Sequence, residues 1–340
     1  MEARDPEWIH WVRWCNEGLP DESIDQLILA LLDLQEQSRY RHPILVAHHI
    51  ENNHQAAGYL SLYPGSLGVI GNLRVQAVQP QTPVDRELEL TLLVQIIKSL
   101  CAQAVDQGIE IVQAISSVDP DAIASQKASE NSLPSVESDI CIQDRAFLAA
   151  RVMPLAKLVQ MEHTKLDSWQ SVPGRMKEND DPVLTFADHT SLTIDQWQSL
   201  IETTYVETRD VPELNGIRSI ASTLEGYASI LDGSPRSWWA VMHAGQPMGC
   251  LLLSPCGTNC ELTYLGFIPE YRGRGLSRRI MEHALTWCRT SGIEKMTLAV
   301  DTRNVPAIRL YQAYGFIPTR FVQAWIYSPR LTSSEFTQGS

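Results

Sequence analysis

A chain of 340 residues is longer than one ordinary globular domain and has the length of two. Hydrophobic residues make up 44% of it and charged residues 20%, which excludes intrinsic disorder, and the net charge of −13 argues against nucleic acid or an anionic membrane as a partner. No apolar run approaches the length of a membrane span, the N-terminus lacks an apolar leader, and the seven irregularly spaced cysteines suit reduced thiols, so we expect a cytoplasmic protein.

The first half of the sequence predicts helices around a short meander of strands. Trp8, Trp11, Val12 and Cys15 have helical spacing, and a second helix starts at Asp21 and reaches about residue 38. Apolar runs separated by turn residues predict antiparallel strands at 44–49, 57–62 and 69–78. A long helix at 85–107 and a strand at 109–116 follow. We expect a loop at 117–139 and strand-like alternation at 146–162.

The second half repeats this order of elements. We expect strands at 183–187, 238–244, 248–254, 260–268 and 295–300, and helices at 193–208, 219–231, 276–290 and 305–314. Two closing strands follow Gly315. The polar stretch around Pro173 and Gly174 is the expected linker, so the predicted domains are 1–165 and 183–330, joined by 166–182.

A glycine-rich turn lies between a predicted strand and a predicted helix in the second half. Gly273 and Gly275 allow backbone N–H groups to approach a ligand, and the positive end of the following helix dipole points at the turn. Arg272, Arg274, Arg278 and Arg279 add a local cluster of positive charge. The spacing matches neither a Walker loop nor a dinucleotide fingerprint, and a glycine-rich turn that only packs is the alternative.

The segment that begins at Asn304 carries the second motif. Asn304 and Pro306 suit a helix start, Gly315 suits a helix end, and Asn304, Ala307, Ile308 and Tyr311 can share one face. With Arg272-x-x-Gly275-x-Ser277 upstream, this Asn-x-x-Ala-x-x-Leu-Tyr-x-x-x-Gly-Phe pattern resembles the two signature motifs of the GNAT superfamily of acyl-CoA-dependent N-acyltransferases. Serine at 277 is a mild departure from the family's glycine or alanine.

The resemblance implies an α/β (α+β) fold with two tandem GNAT-like domains, each a mixed, mostly antiparallel sheet flanked by helices. The first copy looks degenerate, because no glycine lies between Gly71 and Gly108, where the loop would fall. An inert first copy before an active second one is similar to the arrangement in the mycothiol synthase family.

The resemblance also implies acetyl-CoA as co-substrate, no metal, and a set of cofactor-binding residues in the second half. The strand end would pair with the pantetheine arm and the loop amides would hold the pyrophosphate: Gly266, Phe267, Ile268, Arg272, Gly273, Arg274, Gly275, Leu276, Ser277 and Asn304. Cys256 and Cys260 have no second Cys/His pair nearby, so they do not indicate zinc.

Two residues are the catalytic candidates. Tyr311 would protonate the departing thiolate, with Tyr314 as the competing phenol and a core tyrosine as the alternative. Glu261 would take the proton of the amine directly or through water, provided that the strand face shared by Glu261, Thr263 and Leu265 lines the cleft. An exposed glutamate at a strand end is the alternative, and His243 and His283 are weaker bases.

The acceptor is expected to be a small-molecule amine rather than a peptide, because the first domain would wall off an open groove. The polar loop at 207–217 could orient that amine or could be an ordinary surface connection. The rival to an enzyme that moves an acetyl group by direct attack in a ternary complex is a non-catalytic acyl-CoA-binding sensor.

Overall fold

The computed structural model describes residues 6–38, 40, 42–51, 53–78, 85–117, 141–166, 183–229 and 237–331. The chain divides into two compact units, one made of Met1–Leu155 with Gln323–Ser340 and the other of Ala156–Val322. Apart from Ser117 and Leu166, the predicted loop at 117–139 and the predicted linker at 166–182 lie outside the described residues.

The first unit contains a meander of three antiparallel strands followed by a parallel strand, with helices packed on the sheet. Its elements are α1 (Glu7–Cys15), α2 (Asp21–Gln37), β1 (Ile44–Glu51), β2 (His54–Tyr63), β3 (Leu67–Ala77), α3 (Arg86–Asp106), β4 (Ile111–Ser117) and α4 (Ile142–Ala149). The crossover from β3 to β4 runs through α3, because two parallel neighbours cannot be joined by a tight turn.

The helix α3 is long and apolar enough, by length and composition, to cross a membrane. In the structure its apolar side chains are core residues, since Leu92, Ile97 and Leu100 are completely buried in the same cluster as Leu60 and Leu62 of β2. Such burial is what the core helix of a folded domain requires.

The prediction of a strand across 146–162 is wrong at its start. Residues Ile142–Ala149 form α4, whose first turn is capped by the Cys141 sulfur, 3.4 Å from the Asp144 amide nitrogen. Phe147 is completely buried against Trp325, with ring centroids 5.2 Å apart. These two residues are far apart in the chain, so local alternation could not reveal that they pack together.

The second unit contains the sheet of the second half, in the order β5–β10–β9–β8–β7–β6. Its elements are β5 (Met153–His163), β6 (Leu184–Asp188), α5 (Ile194–Tyr205), α6 (Ile220–Ser229), β7 (Trp238–His243), β8 (Gln246–Cys256), β9 (Asn259–Phe267), α7 (Ser277–Thr290), β10 (Lys295–Asp301), α8 (Val305–Ala313) and β11 (Ile317–Tyr327). Only β9 and β10 pair in parallel; the other described ladders of this sheet are antiparallel. The predicted fold class, with mixed and mostly antiparallel strands and flanking helices in both halves, is confirmed.

Two boundaries differ from the predictions. One strand, β11, follows Gly315 where two were expected, because its exposed first residues and its buried last ones belong to one continuous strand. The division between units falls inside β5 and β11 rather than at 166–182. Leu158 to His163 pair with β10, so this stretch belongs to the second unit.

Candidate active site

The two parallel strands of the second unit separate after a short shared stretch. β9 and β10 are paired only from Asn259 opposite Lys295 to Glu261 opposite Thr297. Beyond that point a cleft of about 900 Å³ opens, bounded by β9, the loop that follows it, and α8. A cleft of this size, within one unit and next to a glycine-rich loop, is the natural place for a ligand.

A β-bulge changes which residues of β9 face the same way. Leu252 of β8 pairs with Tyr264 whereas Leu253 pairs with Leu262, so Thr263 is the extra residue. The bulge reverses the phase of the strand, and Leu262 and Leu265 pack into the cluster under α7. The prediction that Glu261 and Leu265 share a face is therefore wrong.

Glu261 itself is the last residue of β9 that pairs with β10, and it is not among the residues that line the cleft. Its side chain is exposed to solvent, while the surrounding protein raises the pKa of its carboxyl by desolvation. Because of the bulge, Glu261 lies on the same face of β9 as Tyr264, which does line the cleft.

The glycine loop leads into α7 in the conformation that the sequence predicts. Gly273 and Gly275 have φ values of 71° and 78°, and a Cβ at either position would meet no atom within 4 Å. Leu276 occupies the N-cap with no side-chain cap, and among the described residues the amides of 273–277 donate to no other protein group. A helix N-terminus with free amides is an anion site.

Arg272 performs a task that the sequence does not reveal. Its Nε donates to the Phe267 carbonyl at 2.8 Å, and its two terminal nitrogens donate to the carbonyls of Thr204, Val206 and Glu207 at 2.8, 2.6 and 3.1 Å. The guanidinium thus caps the C-terminal end of α5 and joins it to the end of β9.

Arg274, by contrast, lies over the ring of Tyr271, with its guanidinium carbon 5.3 Å from the ring centre, and does not line the cleft. Ile268 does not line it either. The other predicted cofactor-binding residues do: Gly266, Phe267, Arg272, Gly273, Gly275, Leu276, Ser277 and Asn304.

The helix α8 brings the candidate acid to the cleft. Asn304 caps it by accepting from the Ala307 amide at 3.4 Å. Tyr311 lines the cleft with only 8% of its surface exposed, and no described group of the protein is hydrogen-bonded to its hydroxyl. Burial, and then the charge of Asp210, raise the pKa of this phenol, so it stays protonated at neutral pH.

The two histidines considered as bases do not line the cleft. His283 stacks on Phe186 with ring centroids 3.9 Å apart, and burial lowers its pKa. His243 has its Nδ1 3.4 Å from the Val183 carbonyl.

Asp210 is a residue of the cleft that the sequence does not single out. It lines the cleft from the loop between α5 and α6, and its Oδ1 accepts the backbone N–H of Asp301 at 2.9 Å. The sequence identified the loop at 207–217 only as a polar connection. A lone aspartate there has no periodicity or motif that would distinguish it.

Comparison with known proteins agrees with this geometry. Residues 195–316 match the model of the acetyltransferase (GNAT) family, and that span runs from α5 to the end of α8. Residues 195–316 are therefore similar to a GNAT acetyltransferase domain and are named the GNAT domain after that similarity. The glycine loop, the separated strands and Tyr311 all lie inside it.

Relatives of the GNAT domain are similar over a limited stretch. A mycothiol acetyltransferase of Beutenbergia cavernae is 35% identical over 89 residues, which are 25% of this chain and 29% of that protein. The streptothricin acetyltransferase of Streptomyces lavendulae is 33% identical over 25% of this chain and 46% of its own length. The peptidyl-lysine N-acetyltransferase YjaB of Salmonella typhimurium is 30% identical over 23% of this chain and 48% of its own length. The chain thus spans less than half of each of these proteins.

A solved structure supports the fold beyond the GNAT domain. The glucosamine N-acetyltransferase region of a fungal multi-domain β-N-acetylglucosaminidase aligns with 87% of this chain and 34% of its own, with a TM-score of 0.51 and 14% identity. At that identity the likeness concerns the fold alone.

The cleft fits the co-substrate that the family uses. The free amides of 273–277 and the open space at Gly273 and Gly275 suit a pyrophosphate, which needs several N–H donors and close backbone approach. The residues of β9 beyond Glu261 have no parallel partner in β10, so their backbone edge is available to an extended arm.

Proposed function

We propose that the GNAT domain transfers the acetyl group of acetyl-CoA to an amine by direct attack in a ternary complex. One observation carries this proposal: the free amides at the start of α7 and the unpartnered hydroxyl of Tyr311 belong to the same cleft. The first can hold a diphosphate and the second can give a proton to a leaving thiolate. An enzyme that holds acetyl-CoA and the amine together in one cleft accelerates the reaction, because the two no longer have to meet by diffusion.

In the proposed reaction, Tyr311 is the general acid. The amine nitrogen forms a bond to the thioester carbonyl carbon, the carbon–sulfur bond breaks, and the sulfur takes the phenolic proton of Tyr311. The nitrogen gives up one more proton as it becomes an amide, and that proton restores the phenol of Tyr311. Tyr314 is the less suitable donor, since its hydroxyl lies 3.1 Å from the Arg278 carbonyl oxygen and 3.3 Å from a carboxylate oxygen of Glu282.

Glu261 is the proposed base. An ammonium must lose a proton before its nitrogen can attack, and the carboxylate of Glu261 is a group that can accept it. Because the residue lies where β9 and β10 part and outside the cleft lining, we propose that water carries the proton to it.

We propose a small-molecule amine as the acceptor. The names of the relatives include acetyltransferases of two small molecules, mycothiol and streptothricin, and of peptidyl-lysine. The small-molecule relatives support the choice, and the peptidyl-lysine relative defines the competing one.

The experiment is to follow CoA release from acetyl-CoA with the full chain and a panel of amines, and to measure acetyl-CoA binding by calorimetry. Binding together with amine-dependent CoA release supports the enzyme. Binding of acetyl-CoA, with no release of CoA in the presence of any of the amines, supports the acyl-CoA sensor instead. Absence of binding contradicts both.

A further inference from the structure

The loop between α5 and α6 holds a carboxylate in the cleft by a conformation that costs free energy. Glu207 and Val211 have φ values of 52° and 44°, in the left-handed region. A β-branched residue such as valine is an outlier there, and strain of this kind persists only where surrounding contacts hold it. Asp210 lies between these two positions, immediately before Val211, and its side chain is open to the cleft.

The contacts that hold the loop come from the end of β10. The Asp301 carboxylate is completely buried and accepts the Val211 amide at 3.3 Å, while its backbone N–H donates to Asp210. Arg303 binds Asp301 and also both carboxylate oxygens of Glu213, at 2.5 and 2.8 Å. This arrangement fixes Asp210 through one of its oxygens and leaves the other for a ligand.

The charge of Asp210 has no partner of its own. Arg303 is shared by Asp301 and Glu213, and among the residues that the structure describes no salt bridge reaches Asp210. Asp210 is exposed to solvent, and desolvation by the protein beside it raises the pKa of its carboxyl while the hydrogen bond from the Asp301 backbone lowers it. A carboxylate that lines a cleft and has no ion-pair partner among the described residues can bind a cation.

Two tyrosines line the same cleft as Asp210. Tyr264 is held by Tyr205 and Tyr227, whose ring centroids lie 5.3 and 6.0 Å from its own. Tyr311 is buried and its hydroxyl has no partner among the described groups. A carboxylate and a phenol oxygen in one cleft can both accept hydrogen bonds from an ammonium group.

We infer that Asp210 binds the ammonium group of the acceptor before transfer, and that the domain selects amines with no carboxylate next to that ammonium. The inference rests on the proposed function, and it specifies which charged groups the acceptor carries. Asp210 attracts the cation and repels an anion beside it, while Glu261 remains the base that receives the proton.

The test compares matched acceptors that differ by one negative charge: glycinamide against glycine, and lysinamide against lysine. CoA release is measured at saturating acetyl-CoA with the full chain, its Asp210→Asn variant and an Asp195→Asn control. Asparagine keeps an oxygen that accepts the Asp301 amide, and it replaces the other oxygen and the negative charge with an amide NH2 group. Asp195 is an exposed residue in the first turn of α5, so its variant removes one charge away from the cleft.

The wild type is expected to use the amides with a KM about 10- to 100-fold below that of the acids. Asp210→Asn should raise the KM for the amides by a similar factor, change kcat less, and leave acetyl-CoA affinity as it is. Asp195→Asn should behave as wild type.

Equal use of amides and acids, or an unchanged preference in Asp210→Asn, would overturn the inference while the proposed function stands. If the wild type acetylates none of the amines tested, both the inference and the proposed function are overturned.

Discussion

Tyr311 and Tyr314, three residues apart at the end of α8, have hydroxyl groups in opposite situations. The hydroxyl of Tyr314 lies within hydrogen-bond distance of the Arg278 carbonyl, whereas that of Tyr311 meets the cleft with no partner among the described groups. Both residues are buried: 5% of the surface of Tyr314 and 8% of the surface of Tyr311 is exposed. One phenol therefore serves packing between α8 and α7, and the other is available to a substrate.

The substitution Tyr311→Phe tests the proposed acid. It removes the hydroxyl and keeps the ring, so acetyl-CoA affinity should barely change while kcat falls by about 10²–10⁴, because the lost proton transfer belongs to the transition state. Steady-state kinetics with an identified amine measures this.

Tyr314→Phe is its control. This change removes a hydrogen bond and should lower the free energy of unfolding by about 0.5–1.5 kcal/mol with kcat unaltered. A Tyr311→Phe enzyme with normal turnover would assign the proton to Tyr314 or to water.

The substitution Gly275→Asp tests the loop. It adds a negative charge in front of the free amides of 273–277, so the Kd of acetyl-CoA should rise about 10- to 100-fold, as calorimetry would record. No atom lies within 4 Å of the new Cβ, and steric clash is therefore not the cause.

Gly292→Asp is a matched control, because Gly292 has a similar φ of 73° and equally open surroundings but lies after α7, outside the cleft lining. Both variants carry the backbone strain. Equal acetyl-CoA affinities in the two would show that 273–277 hold no diphosphate.

The substitution Arg272→Lys tests the connection between α5 and β9. A lysine ammonium cannot span four carbonyl groups, so we expect the free energy of unfolding to fall by about 1–3 kcal/mol and acetyl-CoA binding to weaken. Chemical denaturation and calorimetry measure the two effects. Arg274→Lys, which alters only the arginine over Tyr271, should do neither. Identical stabilities for the two variants would contradict the structural role of Arg272.

The stability of the second unit should depend on the charge of Glu213. Hydrogen bonds from Arg303 lower the pKa of Glu213 below its ordinary 4.5. The folded state therefore binds this proton less tightly than the unfolded state, and the stabilisation is present above 4.5 and is lost as the pH falls through the lowered value.

Denaturation of wild type and Glu213→Gln from neutral pH downward tests this. The wild type should be the more stable protein at neutral pH, and the difference should shrink below 4.5. Glu202→Gln, at an exposed position of α5, controls for a lost charge. A stability difference between the two proteins that grows as the pH falls would contradict the lowered pKa of Glu213.

Much of the second unit could be predicted from the sequence, because its signals are local. Gly273 and Gly275 mark a left-handed turn, Asn304 marks a helix start, and apolar periodicity marks α7 and β9. The face of β9 beyond Leu262 could not be predicted. A bulge at Thr263 depends on how β8 pairs with it, and one extra residue inverts every later side chain.

The sequence by itself determined the two motifs, the order of elements and the turn that precedes α7, since each depends on neighbours within a few residues. Only the tertiary structure decided that Arg272 binds the carbonyls of α5, that Tyr311 rather than Tyr314 has a free hydroxyl, and that Asp210 stands in the cleft. Each of these facts is set by hydrogen bonds between residues 32 to 91 positions apart in the chain. No local propensity records such bonds, because they exist only once the strands have paired and the loops are held against them.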